Sequence, residues 1–262
     1  MAFCKAFVMR HGSLFSGVGG FDLAARLMGW QNVFHVERDP FCQQVLRHHF
    51  PKSQSYEDIK KFDGTAYAGR VDIISGGFPC QPFSAAGKRA GTSDDRYLWP
   101  EMFRIIHEAG PTYVVAENVR GLLSWNEGLV LDTVCADLEG QGYEVFPVVL
   151  PAASVNAPHR RDRIWIVATN ANGAGLQYGI PRHEAQGARQ AREFGNDCTQ
   201  HGTGWQDFPT VAPLCRRDDG LSKVLDGITF PKWRRESIKA YGNAIVPQVA
   251  YQIFYAINEC HV

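Results

Sequence analysis

The chain has 262 residues, 45% of them hydrophobic, and its 27 Lys+Arg balance its 27 Asp+Glu; that length accommodates one sizeable core plus a small appendage. Its seven cysteines are odd in number and include no Cys-x-x-Cys pair, which argues against a disulfide framework and a zinc site, so no metal is expected. No apolar run approaches the ~18 residues of a spanning helix. The opening MAFCKAFVMRHG lacks the long apolar core of a signal peptide, which predicts a cytoplasmic protein without a membrane partner. The neutral total hides an asymmetry: residues 1–150 carry 14 Lys+Arg against 17 Asp+Glu, and residues 151–262 carry 13 against 10. The second half is the side suited to gripping phosphates.

In chain order, the first informative stretch is SLFSGVGGFDLA at positions 13 to 24. An apolar strand end, Leu14 and Phe15, runs into Gly17, Gly19 and Gly20 and then into a helical pattern through Phe21, Leu23, Ala24, Leu27 and Met28. Strand, glycine turn and helix in that order suit a nucleoside packed against backbone. The spacing is neither the dinucleotide Gly-x-Gly-x-x-Gly nor a phosphate loop, so a nucleoside without pyrophosphate fits better than NAD or ATP. Glu37 follows the apolar segment Val33 to Val36 and precedes a helix-like Asp39 to His49. An acid there can accept from ribose hydroxyls or cap the next helix, and the order of elements favours the ribose.

Downstream, the apolar run Val71 to Ser75 reads as a buried strand ending in GGFPCQPFSAAG at positions 76 to 87. Cys80 sits there between two prolines, where a thiol can be exposed and rigid as a nucleophile requires, although a lone cysteine is more often inert packing. Glu117, in TYVVAENV, is placed at the exit of a further apolar strand, Tyr113 to Ala116. Ligands of open α/β sheets bind at the carboxyl ends of strands, so Gly17, Glu37, Cys80 and Glu117 should share one rim, with a carboxylic acid beside a thiol. APHRRDRIWIVA supplies Arg160, Arg161 and Arg163 before a strand at Ile164 to Ala168, and alone would pass for a basic surface edge. The text from about 170 to 237 is rich in Gly, Gln, Asn, His and Arg with little periodicity. Order returns in AYGNAIVPQVAYQIFYAI, where Ile245, Val249, Ile253 and Ile257 form a helical stripe with Pro247 in the first turn.

The segments SLFSGVGG, GGFPCQPFS, ENV, PHRRDR and GNAIVP stand in the order and approximate spacing of the DNA cytosine (carbon-5) methyltransferase family, which this chain resembles over its first 168 residues or so and its last 25. The resemblance implies a doubly wound, Rossmann-like α/β methyltransferase sheet formed by residues 1–169 plus 238–262, with a small target-recognition domain inserted at 170–237. It implies S-adenosyl-L-methionine as cofactor and a cytosine flipped out of double-stranded DNA as substrate. Cys80 would attack carbon 6, Glu117 would protonate or hydrogen-bond ring nitrogen 3, and Arg161 and Arg163 would hold the base. Phe15, Gly17, Gly19 and Gly20 would pack along the cofactor, Glu37 would take its ribose, and Asp58 and Ile59 in YEDIK its adenine, with Pro79, Leu98 and Asn243 nearby. Asp58 could equally cap a helix, and Ile59 could be ordinary core.

Two departures from the family pattern stand out. His159 replaces the glutamine of Gln-x-Arg-x-Arg, and Tyr97, in DDRYLW, replaces a usual glycine. The stretch Ser84 to Asp95 reads as a basic loop able to close over DNA, with Ser84, Lys88 and Arg89 as DNA contacts. Arg216, Arg217, Arg234 and Arg235 are the corresponding candidates in the recognition segment. The expected enzyme is a monomeric DNA cytosine-5 methyltransferase of a restriction-modification system, with a cognate restriction endonuclease as candidate partner, or a solitary or phage-borne protective one. An RNA cytosine methyltransferase of the same fold and a catalytically silent DNA-binding protein are the rival readings.

Overall fold

A computed structural model describes residues 8–79, 97–170 and 230–261. Seven strands form one sheet: β1 (Arg10–Leu14), β2 (Gln31–Val36), β3 (Gln54–Tyr56), β4 (Ile73–Gly76), β5 (Tyr113–Val119), β6 (Tyr143–Pro151) and β7 (Asp162–Asn170). Their order is β3-β2-β1-β4-β5-β7-β6. The first five pair in parallel, whereas β7 runs antiparallel between β5 and β6. The helices are α1 (Gly20–Leu27), α2 (Pro40–His49), α3 (Trp99–Ala109), α4 (Leu129–Gly140), α5 (Phe230–Asn243) and α6 (Pro247–His261). Strand order reverses between β1 and β4, the switch point at which ligands of doubly wound sheets bind.

Side chains alternate across the strands and so build a core on each face. Ile74, Val114, Ala116, Ile164 and Ile166 point to the face covered by Trp99, Met102 and Ile106 of α3 and by Val134 and Leu138 of α4. Ile73, Tyr113, Val115 and Trp165 point to the opposite face, covered by Phe21, Ala24 and Ala25 of α1 and by Val249, Ile253, Phe254 and Ile257 of α6. The expected stripe on the last helix is thus its buried face. Ile245 lies just before α6, in the short break after α5.

Central strand β1 carries polar residues that period-2 reading would not place in a core. His11 and Ser13 are fully buried. His11 is accommodated by hydrogen bonds from its two ring nitrogens to Asn32 Oδ1 and Ser75 Oγ, each 2.7 Å. At Gly12 an added Cβ would stand 2.2 Å from the Phe34 ring, so the close approach of β1 to that ring requires glycine. Helix α2 starts at its cap Asp39, whose carboxylate accepts from Phe41 N and Cys42 N. Helix α5 is continuous across residues 237 and 238, where the recognition segment was expected to end. Among the described residues no helix is long and apolar enough to cross a membrane, and no cluster of His, Cys, Asp or Glu could hold a metal ion.

Candidate active site

The glycine turn leaves β1 through three residues with positive φ: Phe15 at 51°, Gly17 at 55° and Gly19 at 85°. Among the described residues nothing lies within 4 Å of where a Cβ on Gly17 would stand, so this part of the turn has room beside it at the switch point. Glu37, at the exit of β2, is tied to this turn. One of its carboxylate oxygens accepts from Gly17 N at 2.7 Å and the other from Asp39 N at 2.7 Å. Asp39, and not Glu37, caps α2. Asp58, beyond β3, accepts from Lys60 N at 3.0 Å in a turn outside any helix. Ile59 is buried in the core, and its carbonyl accepts from Arg104 Nη2 at 2.8 Å. Leu98 precedes α3 and is partly buried against the core.

The second cluster forms where β5 and β7 lie side by side. Glu117 is within β5, not beyond its end as the sequence suggested, because pairing with antiparallel β7 extends the strand to Val119. It stands opposite Trp165, and Val119 stands opposite Arg163, so alternation puts Glu117 and Arg163 on one face. Arg163 Nε donates to Glu117 Oε1 at 2.9 Å. Glu117 is only 8% exposed, and burial pushes its carboxyl up to about 7 against the opposing pull of Arg163 and Arg161. A carboxyl poised near neutrality can donate a proton as well as carry charge.

Arg161 is half-buried and also adopts a positive φ, 37°. Burial, followed by the neighbouring Arg163 charge, holds its guanidinium below the usual arginine range. Its Nη2 donates to the carbonyls of Gly242, at 3.1 Å, and Ala244. Glu117, Arg161, Arg163 and Trp165 line one small cleft with Leu150, Ala152, Val246 and Val249. At the start of β7 Asp162 pairs with both Arg120 and Arg160, each at 3.2 Å.

Sequence reasoning missed two residues that link the cleft to the exit of β4. Asn118 Nδ2 donates to the Phe78 carbonyl at 3.0 Å, which fixes the chain two residues before Cys80. Gly77 is the other: a Cβ there would stand 3.2 Å from Glu117 Oε2. The signal for Asn118 was its place beside Glu117 in ENV, on the strand face turned toward β4's exit loop. Cys80, Ser84, Lys88, Arg89, Arg216 and Arg217 lie outside the described residues, and Arg234 is described only as backbone of α5. Pro79 ends the described part of the β4 exit, Asn243 is exposed at the end of α5, and Arg235 is exposed beside Glu236.

The parallel sheet with one antiparallel strand, bearing a glycine turn at its switch point and a buried acid near the exit of β5, defines the Rossmann-like methyltransferase class. The family described as C-5 cytosine-specific DNA methylase matches residues 9–194, and the chain belongs to it. Among curated relatives, the Type II methyltransferase M.Eco47II of Escherichia coli is 39% identical over 172 residues, covering 64% of this chain and 41% of that protein. M.AquIA of Picosynechococcus is 34% identical over 219 residues, covering 77% of this chain and 88% of that protein. The chain thus spans less than half of the first relative's length and most of the second's. Among solved structures, an E. coli prophage protein described as a DNA modification methyltransferase has a TM-score of 0.52 at 27% identity, over 62% of this chain and 47% of that one. A triple mutant of DNMT2 of Spodoptera frugiperda has a TM-score of 0.54 at 24% identity, over 67% of this chain and 53% of that one, and shares the fold.

Proposed function

We propose that this protein is an S-adenosylmethionine-dependent DNA cytosine-5 methyltransferase that works through a covalent Cys80 adduct. The observation that carries the reading is the buried Glu117–Arg163 pair, beside Asn118, which holds the Phe78 carbonyl two residues before Cys80. The cofactor fits the glycine turn: among the described residues Gly17 has room beside it, and the Glu37 carboxylate next to it is an acceptor for ribose hydroxyls. When bound, S-adenosylmethionine supplies an electrophilic methyl group.

Cytosine is a poor nucleophile at carbon 5, and the residues of this chain would change that. The Cys80 thiolate adds to carbon 6 while Glu117 gives its proton to ring nitrogen 3, which makes carbon 5 an enamine carbon. After carbon 5 is methylated, a solvent base takes the carbon 5 proton, the carbon 6–sulfur bond breaks to release the Cys80 thiolate, and ring nitrogen 3 returns its proton to the Glu117 carboxylate, which restores the ring and frees the enzyme. Arg163 holds the Glu117 carboxylate left by proton transfer, and the cleft excludes water from it. The target base must leave the duplex to reach this cleft. Arg120 and Arg160, two exposed guanidiniums on the single Asp162 carboxylate at the start of β7, leave a net positive charge suited to backbone phosphates. Base reading belongs to the segment 170–237, and the chain would act as a cytoplasmic monomer, alone or beside a restriction endonuclease.

The test is methyl transfer by purified protein to duplex DNA, with methylated cytosines mapped by sequencing. Cys80→Ala is expected to abolish transfer and to retain binding of S-adenosylhomocysteine and DNA. Turnover surviving in that variant would refute the covalent route. Transfer to RNA in place of duplex DNA would overturn the substrate.

A further inference from the structure

The break between α5 and α6 touches both halves of the site. On one side, Ile245 fills the space beside Gly20, the first residue of α1, where an added Cβ would lie 2.5 Å from Ile245 Cγ1. On the other, Val246 lines the cleft with Glu117 and Arg163. A helix that ends leaves its last carbonyls without intrahelical partners. Here those of Gly242 and Ala244 accept from Arg161 Nη2, a cationic cap on the end of α5. Arg161 reaches them from a left-handed backbone conformation, unfavourable for a residue with a Cβ. The loop around it is closed by Ala152 N, which donates to the carbonyls of Arg160 and Arg161. The Arg161 Nε is buried and has no hydrogen-bond partner among the described residues.

We propose that Arg161 is a positioning residue that latches the α5–α6 junction, so that one guanidinium sets both the wall of the base cleft and the packing of Ile245 against the cofactor's glycine turn. The cofactor part rests on the function proposed above. A residue that only held the flipped base would leave the DNA-free protein unaltered, whereas a latch acts before DNA arrives.

The experiment is therefore done without DNA, on the full chain. In Arg161→Ala, amide exchange at residues 242–246 is expected to accelerate by roughly tenfold or more while β5 and β7 stay protected. S-adenosylhomocysteine should bind about threefold to tenfold more weakly. Arg161→Lys, whose ammonium can still donate to both carbonyls, should recover most of the protection, and a loss as large as alanine's would assign the effect to packing and overturn the latch. Ile245→Ala should weaken S-adenosylhomocysteine binding with Arg161 intact, which gives a second arm if Arg161→Ala fails to fold. Unchanged exchange at 242–246, or faster exchange with unchanged affinity, would overturn the proposal. A wild-type protein that binds no S-adenosylhomocysteine would instead refute the cofactor reading, and the exchange comparison would still decide the latch.

Discussion

At Glu117 two opposing effects meet, and burial wins. Arg163 at 2.9 Å would ordinarily keep a carboxyl ionised, yet removal from water raises it to about 7, which leaves a substantial protonated fraction at neutral pH. A required proton on Glu117 makes methyl transfer fall as pH rises through about 7. Glu117→Gln keeps the shape, cannot deliver a proton, and should lose about 10²- to 10⁴-fold in single-turnover rate. Its residual rate should no longer fall through that pH range. A change confined to the Michaelis constant would leave Glu117 a positioning role only. The Glu37 side chain is placed by the backbone amides of Gly17 and Asp39. Glu37→Ala should weaken S-adenosylhomocysteine binding by on the order of 1 to 3 kcal/mol with DNA affinity little changed. Calorimetry distinguishes this from a purely local role in the turn, for which cofactor affinity would stay at the wild-type value.

At the level of elements, β1 is held as much by fit as by hydrophobic burial. Its Gly12 lies beneath the Phe34 ring, so Gly12→Ala must push that ring or the strand aside. Overpacking of this kind costs roughly 1 to 3 kcal/mol, which a denaturant midpoint would register; a midpoint equal to wild type would mean that the ring yields freely. This strand was also the least legible from sequence. Only Leu14 and Phe15 announced it, because His11 and Ser13 are tolerated inside by partners far along the chain: Asn32 and Ser75 bond the histidine and Ser16 the serine. By contrast, the glycine turn, the start of α2 after Asp39, the buried run of β4 and the apolar face of α6 rest on local chemistry and were readable. The acid and the two arginines of the cleft were legible as residue types in a known order. Their mutual placement was not, since it depends on β7 entering antiparallel beside β5. That pairing moved Glu117 inside a strand, brought Trp165 opposite it, and left Asn118 free to hold the carbonyl of Phe78.

Over the whole molecule, buried ionisable groups set opposing pH dependences that nearly cancel. His11 and His35 are lowered to about 4, chiefly by burial, and so stay neutral in the fold while their unfolded counterparts take up protons below about 6.5. Between those values the unfolded chain binds more protons, and stability rises with pH. Asp22, fully buried beside Ser13, is raised by burial from 3.8 to about 7 against the opposing pull of its hydrogen bond with Ser13, and Glu117 is raised from 4.5 to about 7. For these the folded chain binds more protons, and stability falls as pH climbs from the unfolded toward the folded value. Among the described residues two groups pull each way near pH 5.5, so these four should give almost no net slope there and should cost stability as pH passes about 7, where the acids still titrate and the histidines contribute less. Asp39 and Asp63, held low chiefly by side-chain hydrogen bonds, exert their effect at more acidic pH. Removing one acid should unmask the histidines. Asp22→Asn is expected to gain stability with rising pH by about 1 kcal/mol per pH unit between roughly pH 5 and 6, measured as unfolding free energy in a denaturant series. A slope as flat as the wild type's in that variant would mean that Asp22 is ionised in the fold.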